Sequence, residues 1–124
     1  MPFFTIKGKV EVGRQLGRKI GFPTINIKVP KTVKKNQWGV YFSLCKIGSG
    51  IYPGLTHLGP SKNLSSNRVI CETHLLTLKE NLYHQVVEKK LLFCYREIKN
   101  FSHFNQLKKQ LKRDRKIARK YFGL

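Results

Sequence analysis

The sequence predicts a mainly β protein, a small antiparallel barrel closed or flanked by one C-terminal helix. Two observations carry this. Apolar residues alternate with polar ones in about six short runs separated by Gly, Pro, Asn and Ser. After Ser102 the apolar period then changes from two to three or four residues.

The first run covers residues 3–12 and leads into a Gly-rich stretch, Gly13-Arg14-Gln15-Leu16-Gly17-Arg18-Lys19-Ile20-Gly21. In the second, 24–29, Ile25, Ile27 and Val29 alternate with Thr24, Asn26 and Lys28, the signature of a half-buried strand. A basic loop over 30–36 precedes the third, 39–47, where Val40, Phe42 and Leu44 alternate with Tyr41, Ser43 and Cys45. Residues 51–58, 69–78 and 85–95 supply the others, with a polar loop at 59–67 and a turn near 79–82. From Ser102, placed as N-cap, Phe104, Leu107, Leu111, Ala118 and Tyr121 share one face of an amphipathic helix over about 102–122. One domain over 1–124 is expected, its barrel occupying about 1–100.

Composition narrows the function classes. Lys and Arg total 25 against 6 Asp and Glu, a formal charge of +19, so an anionic partner or substrate is expected. With 8 Phe, 5 Tyr and many Val and Ile, the chain has the makings of a core and is not a disordered polycation. No apolar run approaches the roughly 18 residues of a membrane span, and the first residues lack a signal-peptide pattern. Cys45, Cys71 and Cys94 form no CxxC pair and read as buried thiols in a reducing compartment, so a cytoplasmic location is expected.

Candidate chemistry concentrates in two places. The loop from Gly13 to Gly21, with Arg14, Arg18 and Lys19, can bring backbone N–H groups and cations to phosphate oxygens, although it lacks the Gly-Lys-Ser/Thr of a P-loop. Thr24 and Asn26 follow it on one strand face and offer oxygen ligands of the kind magnesium accepts beside nucleotide phosphates. A pair of polar residues at a strand edge is the blander reading. Glu72 lies in the core-facing run Val-Ile-Cys-Glu-Thr-His-Leu-Leu, where a carboxylate needs a task or a partner. It can take a proton from a substrate hydroxyl or simply meet one of many nearby cations. His74 shares its face. A zinc site is not expected, because no ligand set has the required spacing.

These segments together resemble riboflavin kinase, the flavokinase domain of bacterial FAD synthetases and of stand-alone flavokinases. The resemblance begins at Gly8-Lys9-Val10-Glu11-Val12-Gly13 and runs through Gly21-Phe22-Pro23-Thr24-Ile25-Asn26-Ile27. It continues at Trp38-Gly39-Val40-Tyr41, Glu72-Thr73-His74-Leu75-Leu76, Leu82-Tyr83, Tyr95-Arg96-Glu97-Ile98-Lys99-Asn100-Phe101 and the closing helix to Asp114. It implies a six-stranded, Greek-key-like antiparallel barrel with a C-terminal helix, which phosphorylates the ribityl 5′-hydroxyl of riboflavin with ATP and Mg2+ to give FMN and ADP. By the same resemblance Gly13 and the loop through Arg18 lie over the ATP phosphates, and Thr24 and Asn26 hold the magnesium. Glu72 is the catalytic base. Leu75 and Tyr83 line the nucleotide site; Arg96, Lys99 and Phe101 hold the flavin. With no adenylyltransferase segment before the barrel, FMN is the expected end product.

The sequence departs from the family at three places. His57-Leu58-Gly59-Pro60-Ser61-Lys62-Asn63-Leu64 stands where many relatives carry Asn-Ile-Gly and then Arg-Pro-Thr-Phe, Thr77 where many have Asp, and His84 where many have Gly after the tyrosine. A monomer without membrane contact is expected. The competing reading, from another class, is a catalytically inactive barrel of this shape that binds RNA, for example on the ribosome. Its motive is the +19 charge, more than one ATP and one flavin require, on a barrel rich in aromatics; the closing segment 106–124, where the only acid among the basic residues is Asp114, has the blander reading of a solvated helix face.

Overall fold

The computed structural model describes residues 4–11, 24–61, 68–78 and 82–124. Its strands are β1 (Phe4–Glu11), β2 (Thr24–Ile27), β3 (Gly39–Ile47), β4 (Gly50–Pro60), β5 (Val69–Leu75) and β6 (Val86–Arg96). A short 3-10 turn, Lys35–Gln37, precedes β3, and the helix α1 spans Phe104–Tyr121. The strands close into an antiparallel barrel in the order β1-β2-β5-β4-β3-β6. Strands β3, β4 and β5 follow one another as neighbours and β6 returns beside β3, the Greek-key arrangement expected from the resemblance.

The expected strands are all present, with ends that differ for local reasons. β2 stops at Ile27, ahead of Pro30, which has no N–H to give a ladder. β5 stops at Leu75 because Leu76, although its N–H donates to the Pro53 carbonyl opposite at 3.0 Å, faces a proline with no N–H to return the bond, and its side chain packs outside the barrel. β4 runs on to Pro60, past Gly59 at φ 146°, where a Cβ would run into Ile98 and lie against Trp38.

The barrel interior holds two apolar clusters. Val10, Ile25, Cys45, Ile47, Leu75, Leu82 and Val87 form one, and Ile6, Ile27, Tyr41, Leu58, Cys71 and Leu91 the other. Between them runs a chain of hydroxyls, Ser43 to Thr56 at 2.6 Å and Thr56 to Thr73 at 2.7 Å, so these buried oxygens satisfy one another. Lys89 also points inward and is 0% exposed.

Both alternating sets of β3 are buried, for different reasons. Tyr41 and Cys45 face the interior, whereas Val40 and Phe42 face outward into a third cluster with Leu55, Leu76 and Ala118 of α1. Phe42 stacks on Tyr95 at 5.0 Å and meets Tyr121 at 4.6 Å, so the end of the helix is pinned by aromatic packing. Burial of each such side chain contributes about 1.5–3 kcal/mol.

A buried ion pair fixes the middle of α1. Asp114, 0% exposed, accepts from Arg96 Nη2 at 2.7 Å, from Arg96 Nε at 3.1 Å and from Gln110 Nε2 at 2.7 Å. Ser102 does not cap the helix as expected. His103 occupies the N-cap without a side-chain cap bond, and the Ser102 hydroxyl meets the Gln106 side chain instead of a backbone N–H.

Candidate active site

The outward side of β2 and β5 carries the polar residues singled out in the sequence. Ile25, Ile27, Cys71, Thr73 and Leu75 point inward, which leaves Thr24, Asn26, Glu72 and His74 half-buried on the opposite face. The ladder register sets Asn26 opposite Glu72 and Thr24 opposite His74. Directly opposed residues on one face have Cβ atoms about 4.5–5.5 Å apart, so the four side chains form one patch. The run around Glu72 does face the core, but Glu72 itself is on its outer side.

The patch continues across β4. His57 stands opposite Glu72 on that strand, is 7% exposed and donates from Nε2 to the Pro60 carbonyl at 2.7 Å. Because a proline carbonyl can only accept, this bond places the proton of a neutral imidazole on Nε2 and turns Nδ1 into an acceptor. Two residues along the same face, Gly59 underlies Ile98. The segment that follows β6 therefore folds back over β4, and it carries exposed Lys99 and half-buried Phe101.

The other expected site residues fall as follows. Leu75 is 6% exposed and belongs to an interior cluster, and half-buried Tyr83 packs against the same cluster. Arg96 is committed to Asp114, and its Nη1 donates to the Glu97 carbonyl at 2.9 Å. Gly13 and Arg18 lie outside the described residues.

The donor set of the patch suits a metal carried by a nucleotide. Thr24 and Asn26 offer neutral oxygens, and among the described residues no group of three His, Cys, Asp or Glu could hold a metal alone. Such a pair holds magnesium only when phosphate oxygens supply the negative charge and the remaining ligands.

Three residues that shape this region carry no assigned role in the sequence reading, which names His57 and Asp114 only in passing and Lys89 not at all. His57 flanks the candidate base, Lys89 lies beneath it inside the barrel, and Asp114 holds Arg96. A lysine in an otherwise alternating strand gives no signal of burial, whereas Asp114, the one acid among the eight cations of 106–124, does stand out.

Comparison with known proteins places the chain. The flavokinase family model, described as riboflavin kinase, matches residues 2–122, and the chain belongs to that family. It is 36% identical over 127 residues to a bifunctional riboflavin kinase/FMN adenylyltransferase of Buchnera aphidicola, covering 98% of this chain and 39% of that protein. The Escherichia coli protein of the same description is 34% identical over 122 residues, again covering 98% and 39%. An RNA-binding riboflavin kinase of Bacillus subtilis is 33% identical over 120 residues, 96% of this chain and 51% of that one. The chain thus spans about 39% of the bifunctional relatives it matches. Among solved structures, one titled a macrolide-efflux protein from Streptococcus pneumoniae superposes with a TM-score of 0.79 at 25% identity, over 93% of this chain and 38% of that one. Among the described residues, no helix is long and apolar enough to cross a membrane.

Proposed function

We propose that this chain is a riboflavin kinase that transfers the γ-phosphoryl group of ATP to the 5′-hydroxyl of riboflavin, giving FMN and ADP. The observation that carries this reading is the placement of Glu72 between two sets of residues. Thr24 and Asn26 lie on the strand to one side of it, and on the other side Ile98, at the start of the segment that carries Lys99 and Phe101, lies against Gly59 of β4. A phosphate donor held on the first side and an alcohol held on the second meet at the carboxylate.

The reaction needs positioning and charge neutralisation more than covalent chemistry from the protein. Glu72 accepts the proton of the ribityl hydroxyl as its oxygen bonds to the γ-phosphorus, while the bond from that phosphorus to the bridging oxygen breaks and ADP leaves. His57 and the ladder keep the carboxylate facing outward at the alcohol. Thr24 and Asn26 would hold the Mg2+ of the nucleotide, which supplies positive charge to the phosphates. The loop from Gly13 through Arg18 would cover those phosphates, and Leu75 and Tyr83 would support the nucleotide end. Lys99 and Phe101 would bound the flavin, Phe101 as an aromatic surface, with Arg96 fixing the start of their segment through Asp114.

An RNA-binding role is the second reading. It draws on the exposed cations Lys109, Lys112, Arg113, Lys116 and Lys120 of α1 and on the description of the Bacillus relative. One experiment separates the two. Riboflavin and Mg-ATP each raise the melting temperature of the kinase, and together they yield FMN on chromatography. A protein that gains stability only from RNA, with an affinity that falls steeply with salt, is the alternative.

A further inference from the structure

Lys89 is wholly enclosed by the barrel, on the side of the sheet opposite the candidate active site. Its Nζ donates to the carbonyl of Ile25 at 3.1 Å and to the carbonyl of Cys71 at 3.0 Å, with the Cys71 thiol at 3.8 Å. Those carbonyls belong to the peptide units that lead directly into Asn26 and Glu72. The same two residues are opposed in the β2–β5 ladder. One buried amine thus bonds, from inside, the two backbone segments whose next side chains form the centre of the site outside.

We propose that Lys89 is a positioning residue for phosphoryl transfer, an internal tie that sets the separation of the metal-ligand strand from the base strand. This rests on the reading of Thr24, Asn26 and Glu72 given above. Burying an amine in an apolar interior is costly, and an apolar side chain of equal length would fill the space without that cost. What Lys89 adds is two directed bonds between strands that otherwise share only a short ladder, since β2 has four residues, Thr24–Ile27. Proper placement of a nucleotide-bound metal against a base depends on such supporting bonds, whose loss typically costs about 10–100-fold in metal affinity or activity.

The test compares Lys89→Met with Val87→Ala, another interior substitution on β6 that removes packing but no bond to β2 or β5. In Lys89→Met the Mg2+ concentration for half-maximal FMN formation rises about tenfold and kcat falls by about 10–100-fold, with riboflavin affinity kept and the melting temperature held or raised. Val87→Ala lowers the melting temperature and leaves the metal requirement unchanged. Metal requirement and kcat in Lys89→Met no different from those of Val87→Ala would overturn the proposal. A measurement on the unaltered protein covers a variant that does not fold. The Lys89 ammonium resonance shifts when Mg2+ and a non-hydrolysable ATP analogue bind across the sheet, and an unmoved resonance speaks against the tie. If Thr24→Ala and Glu72→Gln impair the kinase while Lys89→Met does not, only the role of Lys89 falls; if none of the three impairs it, the reading of the site falls with it.

Discussion

Asn26 and Glu72 are opposed residues of adjacent antiparallel strands, and both side chains leave the barrel on its outer face. An amide oxygen and a carboxylate oxygen are thereby held within one ladder spacing without any loop to place them. Residues on rigid strands hold their geometry better than residues on loops, which suits a reaction that depends on alignment.

If Thr24 and Asn26 hold the metal, Thr24→Ala and Asn26→Ala raise the Mg2+ concentration needed for half-maximal rate, by about tenfold or more each. Both positions are half-buried on the outer face, so neither substitution opens a core cavity and the melting temperature stays within a few degrees. Initial rates across a Mg2+ titration check this, and an unchanged titration curve removes the two from the metal site.

Asp114 holds both Arg96 and Gln110 from a position with no solvent exposure, so Asp114→Asn leaves the Arg96 guanidinium in a pocket without its charge partner. Breaking one side of such a pair costs about 3–5 kcal/mol. Chemical denaturation of Asp114→Asn and of the double variant Arg96→Met with Asp114→Leu measures it. The double variant recovers much of the loss, because removing both charges removes the desolvation cost as well.

The six strands and the helix were legible because alternation and turn residues recur so regularly. The shared face of Thr24 and Asn26 was legible from alternation alone, whereas Glu72, read as part of a core-facing run, lies on the outer face of β5 because Cys71 and Thr73 take the inner one. Alternation does not reveal which strands become neighbours, so the opposition of Asn26 to Glu72 had to come from the closed sheet order. On β3 the period was correctly read, but a strand buried on both faces, by the barrel on one and by α1 on the other, gives no polar side in its pattern. Lys89 escaped notice because burial of a lysine is decided by carbonyls distant in sequence. The cap at Ser102 was misplaced by one residue, since any Ser ahead of a helical period looks like a cap.

His84 has φ 71° and is the one non-glycine at positive φ among the described residues. Its N–H donates to the Val10 carbonyl at 2.9 Å, which fixes the turn entering β6. The left-handed conformation costs an L-residue about 1–2 kcal/mol. His84→Gly therefore stabilises the protein by up to about 1 kcal/mol after the entropy of the unfolded glycine is counted, seen as a rise of a few degrees in melting temperature. A lower melting temperature would show that the histidine side chain contributes more than the strain.

Burial pushes the Cys45 thiol up from 9.0 to about 11, against the opposing influences of Lys89, Thr73 and Ser43. Burial likewise pushes the Tyr41 phenol up to about 12. The folded state disfavours the ionised thiol, whereas the unfolded chain ionises freely from about pH 9. This part of the stability is complete below the unfolded value and is lost as pH rises toward the folded one, roughly 2–3 kcal/mol by pH 11 for Cys45. Denaturation midpoints followed from pH 8 to pH 10.5 fall in the wild type, and Cys45→Ala flattens that fall.

The most direct measurement is FMN formation from riboflavin, ATP and Mg2+ by the purified protein and by Glu72→Gln under identical conditions. Glu72 is half-buried on the outer face, so the substitution preserves the barrel, and the account predicts a loss on the order of 10²–10⁴ in rate with riboflavin binding intact. Turnover by Glu72→Gln near that of the wild type, or no FMN from a wild type that neither riboflavin nor Mg-ATP stabilises, would contradict it.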